Sequence, residues 1–234
     1  MNIPKLTAEE EIEIEKARQI IFAKLNSVPP EGIEVDYLDK KFKVLPGVFW
    51  PHHDSKEIVQ NMVINKGESV LDLFTGSGVI GIHAALSDAS RVVAVDINPT
   101  AVECAKINAD RFGVADIFEA RVSDVFSAVR DDEKFDVIVG NPPFSNKKVS
   151  DESQRFIEQT IKDEGFAVQT KLFEGLAGHL KPGGRAYFSQ ANFGGAKEML
   201  DLAEKKGFEY KLIGTKAMDG DPRIFYAFEF KRHS

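Results

Sequence analysis

The sequence predicts an α/β fold: an open, mostly parallel sheet with helices on both faces, an antiparallel strand pair at one edge, and a short N-terminal helix and hairpin in front. Three features predict it. From Val48 onward, short apolar runs alternate with longer stretches of helical period, the pattern of βαβ units. A glycine-rich turn, Thr75-Gly76-Ser77-Gly78, follows the first apolar run and opens a helix. The last two apolar runs are separated only by the turn Asp219-Gly220-Asp221-Pro222, which suits an antiparallel pair.

The elements follow in order. Residues 7–26 read as an amphipathic helix, with a capping box from Thr7 and Glu10 and an apolar stripe of Ala17, Ile20, Ile21 and Leu25. Pro29 and Pro30 stop it, and the alternating run IEVDYLDKKFKVL turns at Asp39-Lys40-Lys41 as a hairpin. These first 47 residues form an appendage, lid or substrate region, and residues 48–234 form the main domain. Asp54 is placed to cap a helix reaching about Asn65. SVLDLF is a buried strand, GVIGIHAAL a helix, RVVAVDI a second strand, and Pro99 suits the first turn of a helix to about Phe112. IFEARV and FDVIVG are the third and fourth strands. A helix around Thr170–Leu180 ends at a KPGG turn before the fifth, RAYFSQ. A helix over Ala196–Lys206 precedes the final pair, FEYKLIG and RIFYAFEF.

Composition narrows the function. At 234 residues the chain has room for one large core. Apolar residues at 43% and charged residues at 29%, with no long apolar run, exclude a membrane span and place the protein in the cytoplasm, as does an acidic N-terminal stretch where an export signal would be basic and apolar. Cys104 is the only cysteine, so disulfides and thiolate metal clusters are excluded, and its helical spacing marks it as core filler. The net charge of -7 disfavours a nucleic acid partner held by phosphate contacts. Lys147 and Lys148 make the one local basic patch considered, equally readable as a solvated loop tip.

Two groups of residues carry chemistry. Glycines between a strand and a helix let a ligand approach the main chain, and Asp96, about 20 residues on, can accept hydrogen bonds from both ribose hydroxyls. Together they specify an adenosine-type ligand. Asp72, just before the glycines, would repel a dinucleotide's pyrophosphate and welcome an ammonium group, which sets a nicotinamide dehydrogenase behind. Asp124, after the third strand, suits an adenine amino group, or else caps a helix over VFSAV. The second group is Asn141-Pro142-Pro143-Phe144 at the end of the fourth strand. Consecutive prolines stiffen the loop and remove backbone donors. If the Asn141 side-chain oxygen and the Pro142 carbonyl each accept one N–H, a planar amide or nucleobase nitrogen is held and polarised toward tetrahedral geometry, with Phe144 stacked on it. A plain Asn-Pro turn closing a strand is the alternative reading.

At these residues the chain resembles the class I S-adenosylmethionine-dependent methyltransferases, in the branch with an Asn-Pro-Pro-aromatic motif. That branch includes release-factor glutamine N5-methyltransferases, small-domain ribosomal RNA guanine-N2 methyltransferases and adenine-N6 methyltransferases. The likeness runs from about Val48 to Phe230. DLFTGSG resembles the cofactor loop, VVAVDI the ribose-binding strand end, SDVF the adenine side and NPPF the catalytic loop. The resemblance implies a Rossmann-like sheet of seven strands with the last antiparallel, and S-adenosyl-L-methionine as cofactor. It also implies cofactor contacts from Asp72, Phe74, Thr75, Gly76, Gly78, Asp96, Ile97, Asp124, Val125 and Asn141, and catalysis by Asn141, Pro142 and Phe144. Trp50, His52 and His53 lie where the family closes over the methionine end, and with Pro143 they make a substrate pocket or lid. Adjacent histidines in an extended segment point opposite ways, so a shared metal is not expected. The glutamine enzymes usually carry Tyr where this chain has Phe144, a proline-arginine-proline-acid segment where it has Pro51-His52-His53-Asp54, and a separate helical domain. The RNA enzymes commonly add an RNA-binding region, and no obvious basic one is found in this sequence.

The expected activity is N-methylation of a planar amine or amide, the acceptor being a protein side chain, a small metabolite or an unpaired nucleobase. Two rivals share the fold: a cofactor-using enzyme that cyclises or transfers another alkyl group and releases methylthioadenosine, and a non-catalytic binding domain.

Overall fold

The computed structural model describes residues 1–149 and 155–233. Nine strands and seven α-helices are distinguished among them, and the seven-stranded sheet is the frame on which the site hangs. The chain opens with α1 (Ala8–Asn26), whose Thr7 and Glu10 form the expected capping box. A hairpin of β1 (Ile33–Tyr37) and β2 (Lys40–Val44) follows, pairing Tyr37 with Lys40, so the turn is Leu38-Asp39, one step earlier than the sequence suggested. Then come α2 (His53–Asn61), β3 (Ser69–Leu73), α3 (Val79–Leu86), β4 (Arg91–Asp96), α4 (Pro99–Arg111), β5 (Phe118–Val122) and β6 (Phe135–Gly140). After α5 (Arg155–Gln159) and α6 (Ala167–His179), β7 (Leu180–Ala191), α7 (Ala196–Lys205), β8 (Phe208–Met218) and β9 (Asp221–Arg232) complete the chain.

The sheet order is β5-β4-β3-β6-β7-β9-β8. Strands β3 to β7 are parallel and β9 runs antiparallel between β7 and β8. The chain winds outward from β3 through β4 to β5, then returns to place β6 on the other side of β3. That reversal opens a crevice at the carboxyl ends of β3, β4 and β6, where ligands of open α/β sheets bind. Apolar side chains fill both faces. One cluster joins Val70, Val92 and Val137 to α3 and takes in Tyr37 and Phe42 of the hairpin, while the other joins Leu71, Val93 and Ile138 to Leu172, Phe173, Phe228 and Phe230. Among the described residues no helix is long and apolar enough to cross a membrane.

Several local expectations are corrected. In α1 the buried residues are Ile14, Arg18 and Leu25, and Ala17 and Ile21 are partly buried, so the expected stripe faces inward except for Ile20, which is 58% exposed, and the inward face also takes in Ile14 and Arg18. Helix α2 is capped at His52 without a side-chain bond and ends at Asn61. No helix forms over VFSAV: Val125 takes a left-handed φ of 53°, and the hydroxyls of Ser123 and Ser127 bind the backbone N–H groups of Ala128 and Asp124. That removes the helix-capping reading of Asp124. The KPGG segment is an irregularity inside β7, where pairing with β6 jumps from Leu180 to Arg185.

Candidate functional site

Because β3, β4 and β6 end together, motifs remote in sequence meet at one cleft of about 420 Å³, within the size range of cofactor pockets. Its walls include Phe74, Thr75 and Gly76 after β3, Asp96 and Ile97 at the end of β4, Asp124 and Val125 after β5, and Asn141 and Pro143 after β6. Trp50 closes one side, in the segment leading into α2. Phe74, like Val125, is held at positive φ, here 59°, so two non-glycine residues on the cleft wall keep a conformation that costs energy.

The glycine loop is tied down from two sides. Asp96 accepts from the backbone N–H of Gly76 and of Asn98, each at 2.9 Å, through different oxygens. Burial raises its carboxyl above the ordinary value. Gly76 has φ 54°, and a Cβ there would meet only the Phe49 carbonyl, at 3.6 Å, so the main chain is bare toward the cleft. Gly78, at φ 85°, lies off the cleft wall: a Cβ there would sit 3.1 Å from the Ala105 Cβ, so this glycine serves the packing of α3 on α4.

Asp72 also lies off the wall, fully buried. Its Oδ2 accepts from the Thr75 hydroxyl at 2.5 Å and the Gly81 N–H at 2.9 Å, while Oδ1 has no partner among the described residues. Burial, reinforced by the nearby Asp96 carboxylate, pushes its pKa up to about 7. Asp124 is half-exposed at the far end of the cleft and ion-paired with Lys171 at 2.5 Å.

The Asn-Pro-Pro-Phe loop is braced by its own backbone. The N–H groups of Phe144 and Ser145 donate to the Ile161 carbonyl at 3.1 and 2.8 Å, and Gly195 N–H donates to the Phe144 carbonyl at 2.9 Å. Buried Gln169 donates to the Pro143 carbonyl at 3.2 Å. Among the described residues nothing donates to the Pro142 carbonyl. Asn141 donates through Nδ2 to Asp54 Oδ2 at 2.8 Å, and its Oδ1 accepts from the Ser189 hydroxyl at the end of β7. A carboxylate only accepts, so Asp54 fixes which end of the amide is nitrogen, and Oδ1 keeps one lone pair. Asn141, on the cleft wall, can therefore offer one preset oxygen acceptor to an NH₂ group, whereas Pro142 is buried and is not among the residues that line the cleft.

Asp54 and Ser189 escaped the sequence reading. Asp54 resembled a helix cap, and Ser189 sits 48 residues beyond Asn141 on a neighbouring strand, a relation only the sheet order supplies.

Phe144 and His52 face a second, small cavity of about 30 Å³, with Phe49 and Asp54 shared between the two. Phe144 is buried edge-on against Phe193, with ring centroids 5.3 Å apart. His52 and His53 do not point apart as expected: because His53 begins a helix, their rings meet at 4.5 Å, and both face Phe225. Burial holds both imidazoles below their ordinary pKa. Among the described residues no cluster of three or more His, Cys, Asp or Glu side chains is placed to hold a metal. Lys147 pairs with Glu15 of α1 at 2.6 Å, and Lys148 borders the large cleft. Cys104 is buried, with its thiol on the Lys43 carbonyl.

Comparisons with known proteins agree with this fold. The family model for the methyltransferase small domain matches residues 39–208. A Methanocaldococcus jannaschii protein provisionally named a protein N5-glutamine methyltransferase is 35% identical over 176 residues, 74% of this chain and 86% of its own length. The release factor glutamine methyltransferase of Koribacter versatilis is 30% identical over 194 residues, 77% of this chain and 68% of that protein. In fold, the chain matches a T. thermophilus 16S rRNA N2-methyltransferase solved with AdoMet and guanosine, at TM-score 0.61 and 21% identity over 86% of this chain and 50% of that one. Matched to the family model over residues 39–208 and to relatives named as methyltransferases over most of its length, the chain belongs to the methyltransferase small domain family as an S-adenosylmethionine-dependent N-methyltransferase.

Proposed function

We propose that the chain methylates the side-chain amide nitrogen of a glutamine in a protein acceptor, in the cytoplasm. The observation that carries this reading is the fixed orientation of the Asn141 amide by Asp54, next to a Pro142 carbonyl that receives no other donor among the described residues. The remaining lone pair of Asn141 Oδ1 suits one hydrogen of a carboxamide NH₂, and the carbonyl of the next residue in the chain, Pro142, takes the other in this reading. Two relatives that align over about three quarters of the chain are named for glutamine methylation, and the net charge of -7 argues against a phosphate-rich acceptor.

S-adenosylmethionine, when bound, supplies an electrophilic methyl group. The residues of the large cleft suit it in size and donor chemistry. Asp96 keeps a lone pair on each oxygen for the ribose hydroxyls, Gly76 allows close approach, and Asp124 with Val125 lies toward the adenine end. Asp72 and Gly78 act through the loop they hold, not by direct contact. Asn141 and Pro142 hold the acceptor nitrogen with its lone pair directed at the cleft, so the amide resonance that makes it a poor nucleophile is already weakened. Trp50, Phe49 and Pro143 exclude water. Residues 1–47 face the acceptor, and residues 48–234 form the catalytic domain.

Two measurements test this. Purified protein incubated with cofactor and a bacterial-type or archaeal-type peptide release factor is expected to add a single methyl to one glutamine, located by fragment mass spectrometry. A methyl found on another residue type, or on RNA in a parallel incubation and on no glutamine, overturns the reading. Replacing Asp96 with Ala removes two charge-assisted hydrogen bonds and is expected to raise the cofactor Kd about 100-fold in calorimetry. An unchanged Kd removes Asp96 from the cofactor site.

A further inference from the structure

The small cavity under Phe144 contains an unused cation. Arg18 of α1 is only 6% exposed and lines the cavity together with Phe144, Phe49, His52 and Asp54. Its sole hydrogen bond among the described residues runs from one terminal nitrogen to Glu15, at 2.7 Å. A guanidinium carries five N–H donors, so four are without a partner among the described residues in a nearly buried position, an arrangement that costs free energy unless something oxygen-bearing fills it. Glu15 does not neutralise it alone, because the same carboxylate oxygen also takes Lys147 at 2.6 Å. The other arginine on the cavity wall, Arg223, is spent on Asp221 through three contacts.

Size decides what can fill the space. A cavity of about 30 Å³ holds a water or one small functional group and is too small for a phosphate with its ester arms. Its walls are aromatic or aliphatic apart from Arg18, Asp54 and the paired Arg223. Asp54 also borders the large cleft and holds Asn141, so the cavity and the acceptor loop meet at one carboxyl group.

We propose that this cavity is the oxygen subsite of the acceptor: Arg18 donates to the carbonyl oxygen of a carboxamide whose nitrogen lies on Asn141 and Pro142. The proposal rests on the glutamine reading above and gives it a specificity residue. An alkylamine such as a lysine side chain leaves Arg18 unpaired and is rejected for that reason, since a site with buried donors discriminates strongly against ligands that lack the matching acceptor. Glu15 and Lys147 set the position of Arg18 and couple it to the loop that follows Phe144.

The test is binding of N-acetylglutamine N-methylamide to protein saturated with S-adenosylhomocysteine, followed by NMR titration, with N-acetyllysine N-methylamide as the control. Arg18→Met keeps the length and the apolar stem; it is expected to raise the Kd for the glutamine probe at least about tenfold, the loss of one charged hydrogen bond. S-adenosylhomocysteine affinity should stay at the wild-type value and thermal stability should not fall, because replacing a poorly paired buried charge with an apolar side chain is often neutral or stabilising. Arg18→Lys is expected to recover part of the affinity, which a purely structural arginine would not require. Equal affinity in wild type and Arg18→Met, no saturable glutamine-probe binding by wild type, or equal binding of the lysine probe each overturns the proposal. If release factors go unmethylated while the amide probe still binds through Arg18, the macromolecular acceptor is wrong and the subsite stands. If they are methylated by Arg18→Met with wild-type KM, the reverse holds.

Discussion

Asn141→Ala is expected to lower kcat about 1000-fold while leaving the cofactor Kd at its wild-type value, the scale seen when one preorganised hydrogen-bonding group is taken from a transition state. The alanine variant keeps the Pro142 carbonyl, so the nitrogen loses one of two holding points and regains its planar resonance. Asp54 acts on the same step without touching the nitrogen, by keeping Nδ2 of Asn141 turned away at 2.8 Å. Asp54→Ala alone should therefore reduce kcat, and adding it to Asn141→Ala should cost nothing more, because the residue it orients is already gone. Single-turnover rates in the four proteins of the cycle, with isothermal titration of the cofactor, check both statements. Additive losses would show that Asp54 works independently of Asn141, and a large rise in cofactor Kd in Asn141→Ala would mean that its main role is in the cofactor cleft.

Asp72→Asn should change how stability depends on pH. With an ordinary carboxyl value of 3.8 when unfolded and about 7 when folded, Asp72 holds a proton in the native state over a range where the unfolded chain has released it. Its contribution is thus complete below about pH 4 and is lost progressively as pH rises to about 7. The difference amounts to something on the order of 4 kcal/mol. Asparagine does not titrate, so the melting temperature of the variant minus that of wild type should rise by roughly 10 °C between pH 4 and pH 8, all other groups being common to both. The buried Oδ1, which has no partner among the described residues, would accommodate the amide NH₂ poorly and offset the curve by a constant without changing its slope. A pH-independent difference would mean that Asp72 is ionised in the fold throughout.

The sequence carried the motifs of the site, though not the order of the strands that bear them, because each motif is local: a strand end followed by its own loop, as at Asp72 to Gly78, at Asp96, at Asp124 and at Asn141 to Phe144. Parallel winding then brings those ends together without further information. What it did not carry are relations across the sheet or between layers. Ser189 reaches Asn141 only because β7 lies beside β6, and Asp54 reaches it from a helix whose own start suggested a cap. In α1 the buried face keeps most of the aliphatic stripe but also takes in Arg18, which borders a cavity that local periodicity cannot show. The rings of His52 and His53 meet for a similarly nonlocal reason, the onset of α2 between them. Phe144, cast as a stacking platform, lies edge-on to Phe193, a residue on the loop after β7.

The β1–β2 hairpin is fastened to the main body at its centre. Asn108 of α4 both donates to the Lys43 carbonyl and accepts from the Lys43 N–H, at 2.8 Å each, and Phe42 is entirely enclosed. The hairpin is thus a fixed post on α4 that lends the small cavity no wall, whereas α1 lends it Ile14, Arg18 and Ile21. Cross-linking the hairpin to α4 should therefore leave acceptor binding at its wild-type value, a titration of the cross-linked protein being the check.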